Sequence, residues 1–166
     1  MSLRRLETLI ALMLVLCFLG TGAQMLPYPY GPAISVDNAK KAAAAALAEA
    51  VKNHWAMAVA VVDPNGTLIY YEKMDNTQLG SAEVAVEKAR SAARFKRPTK
   101  AFQDALAAGG AGVRILGLPG AVPIEGGIPL IVDTKDGKMI IGAIGLSGDT
   151  SEHDGQCATV GAAVIK

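Results

Sequence analysis

The side chains with the most chemistry to offer in this 166-residue sequence crowd its C-terminal end. The stretch "SGDTSEHDGQCATVG", residues 147–161, places Asp149, Glu152, His153, Asp154 and Cys157 among four hydroxyls. An imidazole beside carboxylates is the material of an acid–base pair or of a metal site. Helix initiation accounts for much of the same stretch. Ser151 suits an N-cap, Asp154 three residues on suits a near capping box, and Glu152 and Asp154 suit the positive end of the helix dipole. Cys157, Val160, Gly161 and Val164 recur at helical spacing, so the thiol reads as a small core group rather than a nucleophile. That leaves His153, one turn before Cys157, without a structural explanation. His54, the other imidazole, stands beside Trp55 and suits a half-buried structural role or a ligand equally.

Cations form a second cluster: Lys88, Arg90, Arg94, Lys96, Arg97 and Lys100. The guanidinium fork of Arg90 and Arg94 can hold carboxylates, while a solvated helix face is the ordinary meaning of such a run. The glycines and prolines of "GGAGVRILGLPGAVPIEGG", residues 109–127, are followed by no Gly-Lys-Ser/Thr and contain no G-x-G-x-x-G between a strand and a helix. A nucleotide loop is therefore not indicated, and a loop that closely approaches a flat ligand fits better. Ser147 and Ser151 lack the G-x-S-x-G setting of a hydrolase nucleophile.

The elements that must position these groups follow from periodicity and turn chemistry. Ser35 or Asp37 caps a predicted helix from about Asn38 to Asn53, rich in alanine. "AMAVAVVDPNGTLIYYEKMD" reads as a hairpin turning at Pro64-Asn65-Gly66, and "IPLIVDTKDGKMIIGAIGLSG" as a second, turning at Asp136-Gly137. Between them lie the helical "SAEVAVEKARSAARF", stopped by Pro98, and the short "TKAFQDALAAGG". Residues 109–127 are mostly loop, with a short strand expected over 121–124, and Ser151 to Lys166 closes the chain as a helix. The expected class is α+β: a central antiparallel sheet of about five strands built from two hairpins and flanked by helices.

The N-terminus reads separately. "MSLRRLETLIALMLVLCFLGTGAQ" has a basic start, an apolar run over 9–19 and small residues up to Ala23, which is the pattern of a signal peptide over residues 1–23. An uncleaved anchor is the alternative. A Pro-rich leader over 24–34 is expected to be extended and mobile, and 35–166 to be one domain. Cleavage would remove two Arg from 16 basic residues and one Glu from 15 acidic, leaving 14 of each. A neutral domain makes nucleic acid an unsuitable partner. Cys157 would be the remaining cysteine, which excludes an internal disulfide. The expected location is periplasmic or secreted, with no membrane attachment after cleavage.

Four segments in order, "AVAVVDPNGTLIYYEKMD", "SAEVAVEKARSAARF", "GGIPLIV" and "IIGAIGLSGDTSEHD", resemble the GlcG/HbpS family and the C-terminal domain of PduO-type proteins, over about residues 35–165. The resemblance implies an α+β domain assembled into homo-oligomers, dimers or higher, with haem or another small planar ligand as partner. Haem needs an axial ligand, an apolar slot and cations for its propionates. What the resemblance implies here is His153 or His54 as axial or metal ligand, Arg90 and Arg94 toward propionates, and Gly126 and Gly127 in the family's glycine-rich segment. His153 stands at a position that varies within the family's SG-x-T-x-E-x-D segment. The implied role is an exported haem-binding protein in haem or iron sensing, storage or scavenging, related to oxidative stress, without turnover. The alternative is a metabolite-binding accessory or enzyme of a catabolic operon, with His153 as acid, base or metal ligand. A purely structural interaction domain is a third class.

Overall fold

The computed structural model describes residues 26–166. The expected signal peptide over 1–23 lies outside the described residues. Helix α1 spans Val36–Lys52, and the Ser35 hydroxyl caps it by accepting from the Asn38 amide at 3.3 Å. Strand β1, Ala58–Val62, and β2, Leu68–Lys73, form the first hairpin. Its turn is fixed by Asp63, whose Oδ1 accepts from the amides of Asn65 and Thr67, both at 2.8 Å. Helices α2, Ser81–Phe95, and α3, Lys100–Ala107, follow, then β3, Gly127–Thr134, β4, Gly137–Ser147, and α4, Ser151–Ala163.

The strands form one antiparallel sheet in the order β2-β1-β4-β3. The two hairpins meet through β1 and β4. Four strands stand where about five were expected. Residues 121–124 join no sheet, because Pro123 removes a donor and the Val122 amide is spent on the Ser91 hydroxyl at 3.0 Å. Residues Gly110–Gly117 form a 3-10 helix within the expected loop.

β1 is buried along its whole length, so its five apolar residues serve both sheet faces. Val59 and Val61, with Ile144 and Leu146 of β4, face the layer of α1 and α4. Ala58, Ala60, Val62 and Ala143 face Ala85, Ala89, Ala92 and Ala93 of α2 on the other side. The alanine contact brings α2 very close to the sheet. A Cβ at Gly145 would collide with the Ala85 carbonyl, and one at Gly127 with the Lys88 carbonyl.

The leader is docked rather than free. Gly31 and Ile34 donate to the carbonyls of Ile140 and Ile141 at 2.8 and 2.9 Å, and Ile140 donates to Pro29 at 3.0 Å. β1 pairs only with residues 143–147 of β4, so the leader takes up β4 where β1 ends. Tyr30 completes the anchorage, its hydroxyl donating to the Ala93 carbonyl at 2.9 Å under the Lys96 ammonium. Among the described residues no helix is long and apolar enough to cross a membrane.

Candidate functional site

The end of α1 and the start of α4 lie side by side and build the first candidate site. Thr150, not Ser151, is the N-cap of α4: its hydroxyl accepts from the His153 amide at 3.3 Å. One residue earlier, Asp149 Oδ1 accepts from the Thr150 amide at 2.7 Å and meets His153 Nδ1 at 3.0 Å. The Thr150 amide, and secondly the imidazole, hold the Asp149 carboxyl below its ordinary range. The imidazole lies flat on Trp55, with ring centroids 3.8 Å apart and planes 12° from parallel. His153 is thus clamped by a carboxylate at Nδ1 and by an indole on its face, while Nε2 bonds no described residue. Trp55 follows directly on His54, which turns the chain out of α1 in a left-handed conformation, φ 61°. Trp55 and His54, with Val51, Ala56 and Met74, line a shallow concavity of about 340 Å³. The two histidines therefore share Trp55.

A second constellation lies at the far side of α4's first turn. Asp154 reaches back to the Asp149 amide at 3.4 Å, as a capping group would, but its charged partner is Lys88, which is not on a solvated face. They form an ion pair at 2.6 Å, with side chains 3% and 1% exposed. Burial pushes the Lys88 ammonium down and the Asp154 carboxyl up, each opposed by the other's charge. Gly126, at φ 127°, covers the pair. A Cβ there would come within 2.9 Å of Lys88 Nζ and 2.8 Å of Asp154 Cβ. Above Gly126 and Gly127, a cleft of about 210 Å³ is walled by Pro98, Lys100, Glu125, Ile128, Gly155 and Thr159. The absent side chain of Gly155 leaves the room that the Glu125 carboxyl occupies. Burial raises the Glu125 pKa, and Lys100, at 3.8 Å, opposes that.

The remaining predicted residues lie elsewhere. Arg90 and Arg94 clamp the first hairpin turn from α2, donating to the carbonyls of Gly66 at 3.1 Å and Asn65 at 3.4 Å. Arg90 also pairs with Glu87 and borders a groove of about 520 Å³ with Leu68, Tyr71 and Val86. The sheet separates α2 from α4, so within one chain the arginines do not share a site with His153. Gly126 and Gly127 line the cleft, away from Trp55. Among the described residues no three of His, Cys, Asp or Glu converge to hold a metal ion. Cys157 is buried in the core, which pushes its thiol up to about 12. Sequence reasoning passed over Trp55 and Glu125, and treated Asp149 only as one acid among several. The i, i+4 spacing of Asp149 and His153 was the available signal.

Residues 34–163 match the family described as "Haem degrading protein HbpS-like". The chain is 36% identical over 114 residues to Protein GlcG of Escherichia coli strain K12, covering 69% of this chain and 81% of that one. A double-mutant form of Streptomyces reticuli HbpS superposes with a TM-score of 0.71 at 30% identity, covering 87% of this chain and 94% of that one. The crystal structure of a PduOC:heme complex superposes with a TM-score of 0.69 at 27% identity, covering 81% of this chain and 96% of that one.

Proposed function

We propose, because this chain belongs to the HbpS-like family, that it is a haem-binding protein in which His153 supplies the axial nitrogen. The observation that carries the reading is the clamp on His153. A ligating imidazole usually gives its other ring nitrogen to a carboxylate, which fixes tautomer and orientation. Asp149 stands in that position at 3.0 Å, and the Trp55 face stops the ring from rotating. Nε2 is then the nitrogen left for iron. The apolar concavity of Val51, Trp55, Ala56 and Met74 offers surface for a flat ring, with His54 at its edge.

When bound, haem supplies an iron centre for ligand binding or one-electron chemistry. His153 would offer one ring nitrogen to it, with the imidazole held in place by the Asp149 carboxylate and the Trp55 indole. Arg90 and Arg94, on the opposite face of the sheet, reach propionates at this site only from a second copy of the chain. The reading therefore carries a homo-oligomer with it. An exported role in haem sensing, storage or scavenging accords with the signal-like residues 1–23.

Titration of the full chain with haemin tests the proposal, followed by the Soret band and by emission of Trp55, the one tryptophan in the sequence. Saturable Soret growth with quenched Trp55 emission is expected, lost in His153→Ala and retained in His54→Ala. No saturable change, or an unaltered titration in His153→Ala, overturns it.

A further inference from the structure

Glu125 is the acidic side chain whose setting the haem reading leaves unused. It sits in the cleft between β3, α3 and α4 with 19% of its side chain exposed, yet its carboxylate accepts no hydrogen bond from any described residue. Its one ion-pair partner among the described residues, the Lys100 ammonium, stands off at 3.8 Å and is bonded instead to Asp104 at 2.8 Å. A recessed carboxylate without donors is costly, and a ligand that brings N–H groups relieves that cost. The field of Glu152 adds to the negative potential, whereas the cations Lys88 and Lys100 are already matched by Asp154 and Asp104. The cleft therefore favours a cation over an anion.

The rest of the lining defines the body of that cation. Pro98 and Ile128 are apolar, Gly126 and Gly127 present bare backbone, and the Thr159 hydroxyl donates to the Gly155 carbonyl at 2.8 Å, leaving its oxygen to accept. The volume, about 210 Å³, corresponds to roughly seven waters. We propose that this cleft is a second ligand site, taking a small organic amine whose ammonium group donates to Glu125 and Thr159 while its short apolar body lies against Pro98 and Ile128. Lys100 competes with the amine for Glu125 and keeps its bond to Asp104 when the amine binds.

The full chain, labelled with ¹⁵N, is titrated with n-butylammonium, n-butanol and butyrate. Saturable shifts at residues 125–128, 155 and 159 are expected with butylammonium alone. Glu125→Gln weakens them about tenfold, the loss of a charged hydrogen bond, and Lys100→Met strengthens them. Gly155→Ala, which takes the space of the Glu125 carboxyl, weakens them as well. An unchanged haemin titration in Glu125→Gln shows that the fold is intact and separates this site from the haem reading. Absence of saturable shifts, equal shifts with butyrate, unaltered binding in Glu125→Gln, or lost binding in Lys100→Met each overturns the proposal.

Discussion

Lys88 of α2 and Asp154 of α4 meet at 2.6 Å beneath Gly126, tying together helices that cover opposite faces of the sheet. Two buried charges gain little net stability from their attraction, since both lose their hydration, but either one alone is very costly. Asp154 is further held by the amides of Gly148 and Asp149. Lys88→Met and Asp154→Leu should each lower unfolding free energy by about 3–5 kcal/mol, and the two together by less than either. Urea denaturation of the four-protein cycle measures this. Additive losses would show that the ion pair is not the unit. Near neutral pH the pair carries one proton whether charged or neutral, and the unfolded chain carries the same one, so the pair adds no slope to stability there.

Cys157 should behave as a core group. Its folded thiol is raised from 9.0 to about 12, chiefly by burial. Sign follows from linkage: the contribution is complete below pH 9.0 and is lost as pH rises toward about 12, because the unfolded chain releases the proton first. Iodoacetamide at pH 8 should leave the native thiol unmodified and react fully in denaturant, as read by mass spectrometry. Rapid native alkylation would contradict the burial.

Asp149 should act through His153. Its lowered pKa means that it takes up a proton at lower pH than an ordinary carboxyl, so the clamp on Nδ1 persists from neutrality into mild acid. Asp149→Asn should release the tautomer preference, visible in the ¹⁵N shifts of the imidazole, and weaken haemin binding about tenfold. A loss of haemin affinity without any change in the imidazole shifts would assign Asp149 a merely structural part.

The fold was largely legible in the chain because local signals agreed. Ser35, Asn65-Gly66 and Asp136-Gly137 mark a cap and two turns, and the structure places a helix and two hairpins there. What escaped were groups whose partners are distant in sequence. Lys88 lies three residues after Ala85, on the inner face of α2, but its charge argued for solvent until Asp154, 66 residues on, is brought beside it. Tyr30 likewise needs Ala93, at a separation of 63 residues, to make the leader part of the domain. The His153 clamp was half legible. Asp149 lies within local reach, whereas Trp55 arrives from the end of α1 through the packing of α1 against α4.

The glycines divide by what a methyl group would meet. At Gly145 a Cβ runs into the Ala85 carbonyl and the Ala89 amide, both backbone atoms of α2 that cannot turn aside. Gly145→Ala must therefore push the helix off the sheet and break the alanine contact, costing at least the 1–3 kcal/mol typical of an overpacked core, so about 3 kcal/mol is expected. At Gly117, in the exposed 3-10 segment, a Cβ meets nothing within 4 Å. Gly117→Ala should then be neutral or stabilise by about 0.4–1 kcal/mol, because the substitution restricts the unfolded chain. Parallel thermal melts compare the two. A Gly145→Ala melt that matches the parent protein would mean that α2 does not rest against β4 at backbone distance, and the alanine layer between them would need another explanation.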